Sequence, residues 1–420
     1  MKIAIRNGRL IDPKHGLDQN ADLFIADGKV AGFGQTPAGF AADRTIDAGG
    51  RVVCPGLVDL GARLNSIEAE LAAAVAGGVT SVVVPPDADP PLDEPELADR
   101  LVHRAEEIGR ARVLPLGALT VGLNGERLAE LAGLAKAGCV AFSQAKRPVI
   151  DTEALLRALE YAATFGFAVW LQPQDHWLAR NGIAHAGEVA SRLGLAGIPV
   201  SAETVAIATY LQLVRDTGVR MHLTRISSAA GVAQIRQAKA EGLPVSCDVG
   251  IHHLHLTEND IGFFNSQARF DPPLRTQSDR AALAAAAASG LAAICSDHTP
   301  VGADDKLLPF GEAKPGATGL ELLLPLTLKW AADNQVSLTA ALARITADPA
   351  AILGVDAGHL GVGAPADVCV FDPVADWRLS ADRLVSKGKN TPFLGLELQG
   401  KVALTLAGGK VVFDGEKRSA

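Results

Sequence analysis

Aromatic residues are scarce, at 5% of 420 positions, and charged residues reach only 20%. With 48% of the chain hydrophobic, the core must be filled by Ala, Leu, Val and Ile, a composition of soluble α/β proteins that excludes a disordered chain. The five cysteines, Cys54, Cys139, Cys247, Cys295 and Cys369, lie far apart without a CxxC pair. Their odd number and wide spacing exclude a disulfide framework and a thiolate zinc site, so buried, reduced thiols are expected. Lys and Arg nowhere cluster along the chain and the net charge is −8, so no nucleic acid or other polyanionic partner is expected. No charge-free apolar span of about 18 residues occurs, and the opening MKIAIRNGRLIDP alternates apolar with polar residues. No membrane association and a cytoplasmic location are therefore expected.

What is present is a repeating rhythm. The length suits one large barrel of about 250 residues or more with an accessory domain. Residues 1–52 hold short alternating strands, Lys2–Ile5, Asp22–Ala26 and Arg51–Val53, broken by turns such as Asp27-Gly28. Residues 358–420 repeat that texture at Asp367–Phe371, Val402–Leu406 and Lys410–Phe413, with Gly408-Gly409 as a turn. Both ends are expected to pair into one small β-sandwich.

Between 53 and 357, short apolar runs alternate with Ala/Leu-rich helical stretches, as βα repeats do. The strand candidates are Leu57–Leu60, Thr80–Val84, Arg112–Leu116, Cys139–Ser143, Ala168–Gln172, Arg220–Thr224, Pro244–Asp248 and Ala292–Ser296. Helices are expected at Pro95–Ile108, Thr152–Tyr161, Ala202–Asp216, Gly231–Ala240 and Ser278–Ala288. This predicts an α/β fold, a TIM-type (β/α)8 barrel. In such barrels the chemistry sits at the C-terminal ends of the strands.

Several motifs occur there in a recognisable order. They include Pro55-Gly56-Leu57-Val58-Asp59-Leu60, Ala76-Gly77-Gly78-Val79-Thr80 and Gly138-Cys139-Val140-Ala141-Phe142-Ser143. Arg192 to Pro199, His252-His253-Leu254-His255-Leu256-Thr257, and Pro272-Pro273-Leu274-Arg275 followed by Asp279-Arg280 continue the series. Over nearly its whole length the chain resembles class I dihydroorotase of the amidohydrolase superfamily, the zinc enzyme that closes carbamoyl aspartate to dihydroorotate.

The resemblance also shows what has been replaced. The family's first strand carries D-x-H-x-H-x-R, because two imidazoles one residue apart on a strand point to the same side and hold one metal. Here Gly61 and Arg63 occupy the histidine positions, and Asn65 replaces the arginine that grips the substrate carboxylate. The bridging carboxylate of the fourth strand aligns with Gln144, while Lys146, a residue some relatives use when carbamylated, is offset by two positions. The next ligand histidine is Gln172, the one after it is Arg225, and the substrate-positioning asparagine is Asp87. Only Asp297, the family's general acid/base, keeps its place, in Ser296-Asp297-His298-Thr299-Pro300.

Glycine offers no ligand, and a guanidinium is a permanent cation that cannot coordinate zinc. Without the metal, the lowering of a bound water's pKa to about 7 is lost, and Asp297 has no water to serve. Arg63, Gln144, Gln172, Arg225 and Asp297 are expected to converge at the barrel mouth, with one arginine pairing to Asp297 or both closing the mouth. His176, His185 and His255 are read as surface or hydrogen-bonded residues, Cys295 as core, and Gly77-Gly78 as turn glycines without a phosphate loop.

The expectation is a noncatalytic dihydroorotase-like protein of pyrimidine biosynthesis that forms a homo-oligomer and needs no cofactor. The resemblance further implies a structural partnership with aspartate carbamoyltransferase catalytic chains. Two other readings stay open. One is an active dihydroorotase or other cyclic-amide hydrolase, zinc-dependent, with a site rebuilt from His222, His252, His253, His298 and Asp297. The other is a sensor that binds pyrimidine intermediates in the relict cleft.

Overall fold

A computed structural model describes residues 1–416. Eight parallel strands form its centre: β1 Leu57–Asp59, β2 Val79–Val84, β3 Arg112–Ala118, β4 Ala141–Ser143, β5 Ala168–Leu171, β6 Arg220–Leu223, β7 Val245–Gly250 and β8 Ala293–Cys295. They are hydrogen-bonded in sequence order from β1 to β8, and each falls on one of the apolar runs. The ring closes just beyond the strand ends, where Ala62 and His298 form a parallel bridge and Arg63 N–H donates to His298 O at 2.9 Å. Asp59 reinforces this seam: its carboxylate accepts from both Ser296 N–H and Ser296 Oγ at 2.6 Å.

Helices follow each strand: α1 Ile67–Ala76, α2 Pro95–Ile108, α3 Leu131–Lys136, α4 Thr152–Thr164, α5 Val200–Thr217, α6 Ala229–Ala240, α7 Gln277–Ala288 and α8 Leu323–Asp333. Local chemistry sets their ends. Pro95 occupies the first turn of α2 and Gly109 ends it at φ 65°. Asp151 caps α4, Ser228 caps α6, and Thr276 with Asp279 makes a capping box on α7.

Side chains alternate across the barrel wall with the period of two that strands impose. Val113 and Phe142 pack outward with the helices, whereas Leu114, Leu116, Ala141 and Trp170 fill the lumen with Leu60, Val83, Ala293 and Cys295. The interior is a packed core rather than a pore.

Both ends of the chain build the accessory domain. One sheet is N-terminal only, with Lys2–Arg6 between Leu23–Ala26 and Arg44–Asp47, and Lys29–Phe33 at its edge. The other has six strands and mixes the ends: Val52–Pro55 lies between Arg9–Asp12 and the C-terminal strand Val368–Arg378. Cys54 stands directly opposite Cys369 there. Ile3, Ile5, Leu10, Leu23, Ile25, Val53, Val368, Val370 and Leu404 form the sandwich core.

The Gly77-Gly78 turn proves to be a packing joint between barrel and sandwich. A Cβ on Gly77 would lie 2.3 Å from Leu320 O, and one on Gly78, at φ +82°, would lie 2.6 Å from Cys369 Sγ. Among the described residues, no helix is long and apolar enough to cross a membrane.

Candidate active-site relict

The strand ends at the mouth are bent out of ordinary strand geometry. Ala145, Arg225 and Asp297, beyond β4, β6 and β8, all adopt left-handed backbone at φ 51°, 56° and 43°. Such conformations cost on the order of 1–3 kcal/mol each and cluster at functional sites. They turn the chain so that side chains following the strands face one another across the barrel axis.

Arg225 reaches Asp297 Oδ1 with one guanidinium nitrogen at 3.1 Å and donates to Gln172 Oε1 with another. Its backbone N–H donates to Asp248 Oδ1 at 2.9 Å. Gln172 Nε2 in turn donates to Asp271 Oδ1 at 3.1 Å. Arg63 grips Asp87 Oδ2 through two nitrogens, at 2.8 and 3.1 Å, and donates to Thr299 Oγ1 at 3.2 Å. Lys146 Nζ stands 4.0 Å from Asp271 Oδ2. Three cations are thus matched by three carboxylates in one network.

The charges set one another's ionisation. Burial alone would raise the Asp297 carboxyl, but Arg225, Lys146 and Arg63 outweigh it and hold the group below the ordinary aspartate value. Asp87 is likewise penalised by burial and overridden by Arg63. Burial lowers the Lys146 ammonium, and repulsion from Arg63 adds to that effect. A general acid/base works best with a pKa near the working pH. Asp297, ionised and tied to Arg225, is far from that condition.

Gly61 lies on the wall of the remaining cavity, and a Cβ built there would meet nothing within 4 Å. That cavity, lined also by Arg63, Arg225, Trp170, Asp248 and Cys295, measures about 30 Å³. Ligand pockets run from about 300 Å³ upward, whereas a single water needs roughly 10–15 Å³. The void holds a water or two and no cyclic amide.

Gln144 departs from the expected convergence. Strand alternation puts Ser143 and Ala145 on the cavity, while the Gln144 amide turns away and bonds Thr120 Oγ1 at 2.8 Å. Asn65 faces the loop after β8, donating to Pro300 O at 2.8 Å. Asp271 and Thr299 belong to the network and were not singled out in the sequence. Asp271 directly precedes the Pro272-Pro273 motif, the one local signal that pointed to it.

Zinc, which the fold family implies, does not fit the residues present. Among the described residues no group of three His, Cys, Asp or Glu side chains is close enough to hold a metal ion. The positions that the resemblance assigns to ligands carry a guanidinium at Arg63 and Arg225, a neutral amide at Gln144 and Gln172, and no side chain at Gly61. Most of the histidines near the mouth are engaged elsewhere. His222 bonds Asp248 and Ser246, both at 2.8 Å, and His298 Nε2 bonds the buried Glu70 at 3.0 Å. His253 bonds Pro272 O at 3.1 Å, and His252 stacks near Phe270 and Phe393 with neither ring nitrogen partnered. His255 and His185 are hydrogen-bonded to Leu326 O and Arg275, and Cys295 is buried.

The fold with its strand-end constellation defines an amidohydrolase-superfamily barrel. Its likeness to an L-hydantoinase (dihydropyrimidinase) from Arthrobacter aurescens has a TM-score of 0.87 at 26% identity, over 98% of this chain and 96% of that one. A D-hydantoinase structure matches at 0.82 and 23% identity over 99% and 95% of the two chains, a likeness of fold alone. A family model described as "Dihydro-orotase-like" matches residues 50–230. A "Dihydroorotase-like protein" of Pseudomonas putida is 48% identical over 98% of this chain and 99% of its own length. One of Pseudomonas aeruginosa is 46% identical over 99% and 100%, and a "Dihydroorotase" of Geobacter sp. (strain M21) is 38% identical over 98% and 99%. The chain belongs to the dihydroorotase-like family.

Proposed function

We propose that this chain is a noncatalytic dihydroorotase-like protein whose role is structural. The observation that carries the reading is the Arg225–Asp297 pair, 3.1 Å long and buried, where a metal ligand and its proton shuttle are expected. A guanidinium in that place repels a divalent cation by several kcal/mol even at an effective dielectric near 20. The Arg63–Asp87 pair and the small cavity support the same conclusion.

The partner, carried over from the resemblance, is the catalytic chain of aspartate carbamoyltransferase, in a homo-oligomeric assembly serving pyrimidine biosynthesis. The cytoplasm is the proposed compartment, in keeping with five buried free thiols.

The second reading, an active zinc-dependent cyclic-amide hydrolase, is favoured by the name "Dihydroorotase" borne by relatives at 38% identity. Metal analysis and turnover separate the two. The purified chain is expected to contain well under one equivalent of zinc and to leave dihydroorotate and carbamoyl aspartate unchanged. Stoichiometric zinc with turnover overturns the noncatalytic reading. Pull-down from the native cell is expected to recover aspartate carbamoyltransferase, and deletion of the gene to depress its assembly or activity. A deletion strain with normal-sized, fully active carbamoyltransferase removes the scaffold role.

A further inference from the structure

Outside the small cavity, the loops after β3, β4 and β5 border an open groove of about 600 Å³ on the mouth face. Its charged lining is of one sign. Lys146, Arg147 and Arg180 project into it beside His176, and no Asp or Glu lines it. Asn124, Gln174 and Asn181 add amide groups. Lys146 and Arg147 are neighbours in the sequence of an acidic chain, and the fold brings Arg180 from the next loop to join them.

The positive charge of Arg147 and Arg180 is poorly compensated. Arg147 donates to Gly122 O and Arg180 lies over the Trp177 ring, 5.5 Å from its centroid. Among the described residues neither has a carboxylate within salt-bridge distance, and Lys146 has one at the outer limit of 4.0 Å. Behind Lys146 stand Arg63 and Arg225, whose repulsion adds to the burial that lowers its ammonium, while Asp271 and Asp297 offset part of it. Bringing an anion into the groove relieves that repulsion and supplies acceptors to donors that now face water. The volume falls within the roughly 300–1,000 Å³ of small-molecule sites.

We propose that this groove binds a small, multiply charged anion bearing phosphate or carboxylate groups. The inference goes beyond the scaffold role and stands whether or not the chain assembles with a partner. It also differs from recognition of a substrate in the relict cleft, because the groove shares Lys146 with the strand-end network but no residue with the lining of the cavity at Gly61.

Calorimetric titration of the full chain with inorganic pyrophosphate and, separately, with citrate tests it. The expected result is saturable one-site binding of at least one probe, weakened by added salt. Pyrophosphate alone identifies phosphate chemistry, and citrate alone identifies carboxylate chemistry. Arg147 and Arg180 are exposed, so the double variant Arg147→Gln/Arg180→Gln is expected to keep the wild-type melting temperature and bind about tenfold more weakly or worse. The conservative pair Arg147→Lys/Arg180→Lys should retain more of the affinity. Binding of neither probe up to millimolar concentration overturns the proposal, as does equal binding by the Gln variant. Binding of an oligoglutamate peptide where both small anions fail also overturns it, and assigns the groove to an acidic protein segment.

Discussion

Arg225 and Asp297 meet across the barrel mouth at 3.1 Å, each held on left-handed backbone. Their side chains are 10% and 3% exposed, so the pair is desolvated and each charge depends on the other. Asp297→Asn should destabilise the fold by about 3–5 kcal/mol, the cost of an uncompensated buried charge. Replacing both residues together, as Arg225→Met/Asp297→Leu, should recover most of that loss. Urea unfolding of the single and double variants measures both. A single variant as stable as wild type would show that water already solvates Arg225.

Two histidines, His252 and His255, give a second expectation. Burial lowers His252 to about 3 and His255 to about 4. In the unfolded chain each takes a proton near pH 6.5. Folded-state values depressed in this way give stability that is complete above pH 6.5 and lost as pH falls toward 4 and 3. The melting temperature should therefore drop through that window. His252→Phe, which keeps the stack on Phe270 and Phe393, should make the drop shallower; an unchanged slope would exclude His252 as a source.

At the barrel seam, Ser296 donates two hydrogen bonds to buried Asp59, one from the side chain at 2.6 Å. Ser296→Ala removes the hydroxyl and leaves a carboxylate oxygen short of a donor, at a cost of about 1–3 kcal/mol. Chemical denaturation should show this loss.

The joint between barrel and sandwich is equally specific. Gly78→Ala sets a methyl 2.6 Å from Cys369 Sγ on backbone at φ +82°. A loss of roughly 1–3 kcal/mol is expected from strain and overpacking. Adding Cys369→Ala should restore part of it, since the crowding is relieved and the φ penalty remains. Complete recovery in the double variant would show that crowding alone fixes the glycine.

Much of the fold was legible because barrel strands are apolar on both faces, and Val79–Val84 or Ala293–Cys295 stand out from their surroundings. The long strand Val368–Arg378 was legible only as far as Phe371. Beyond it the burial becomes intermittent and the register shifts, so Asp372 to Arg378 carries no apolar signal. Likewise Lys29–Phe33 and Arg44–Asp47 are short and partly exposed. At the site, the family resemblance placed Arg63, Gln172, Arg225 and Asp297 at strand ends. It did not determine that Arg63 pairs with Asp87, that Asp271 joins the network or that Gln144 turns away. Those outcomes depend on side-chain direction and on distant loops.

The mixed six-stranded sheet has a consequence for how the molecule comes into being. Cys54 and Cys369, opposite one another in it, are separated in the chain by the entire barrel. A ribosome has therefore made all eight barrel strands before the second partner of Val52–Pro55 exists, and the N-terminal strands must wait with an open edge. Contacts of such sequence separation are slow to form. The same weave lets a chain cut within the barrel leave two pieces that each carry half of one sheet, a natural clasp for reassembling the molecule from fragments.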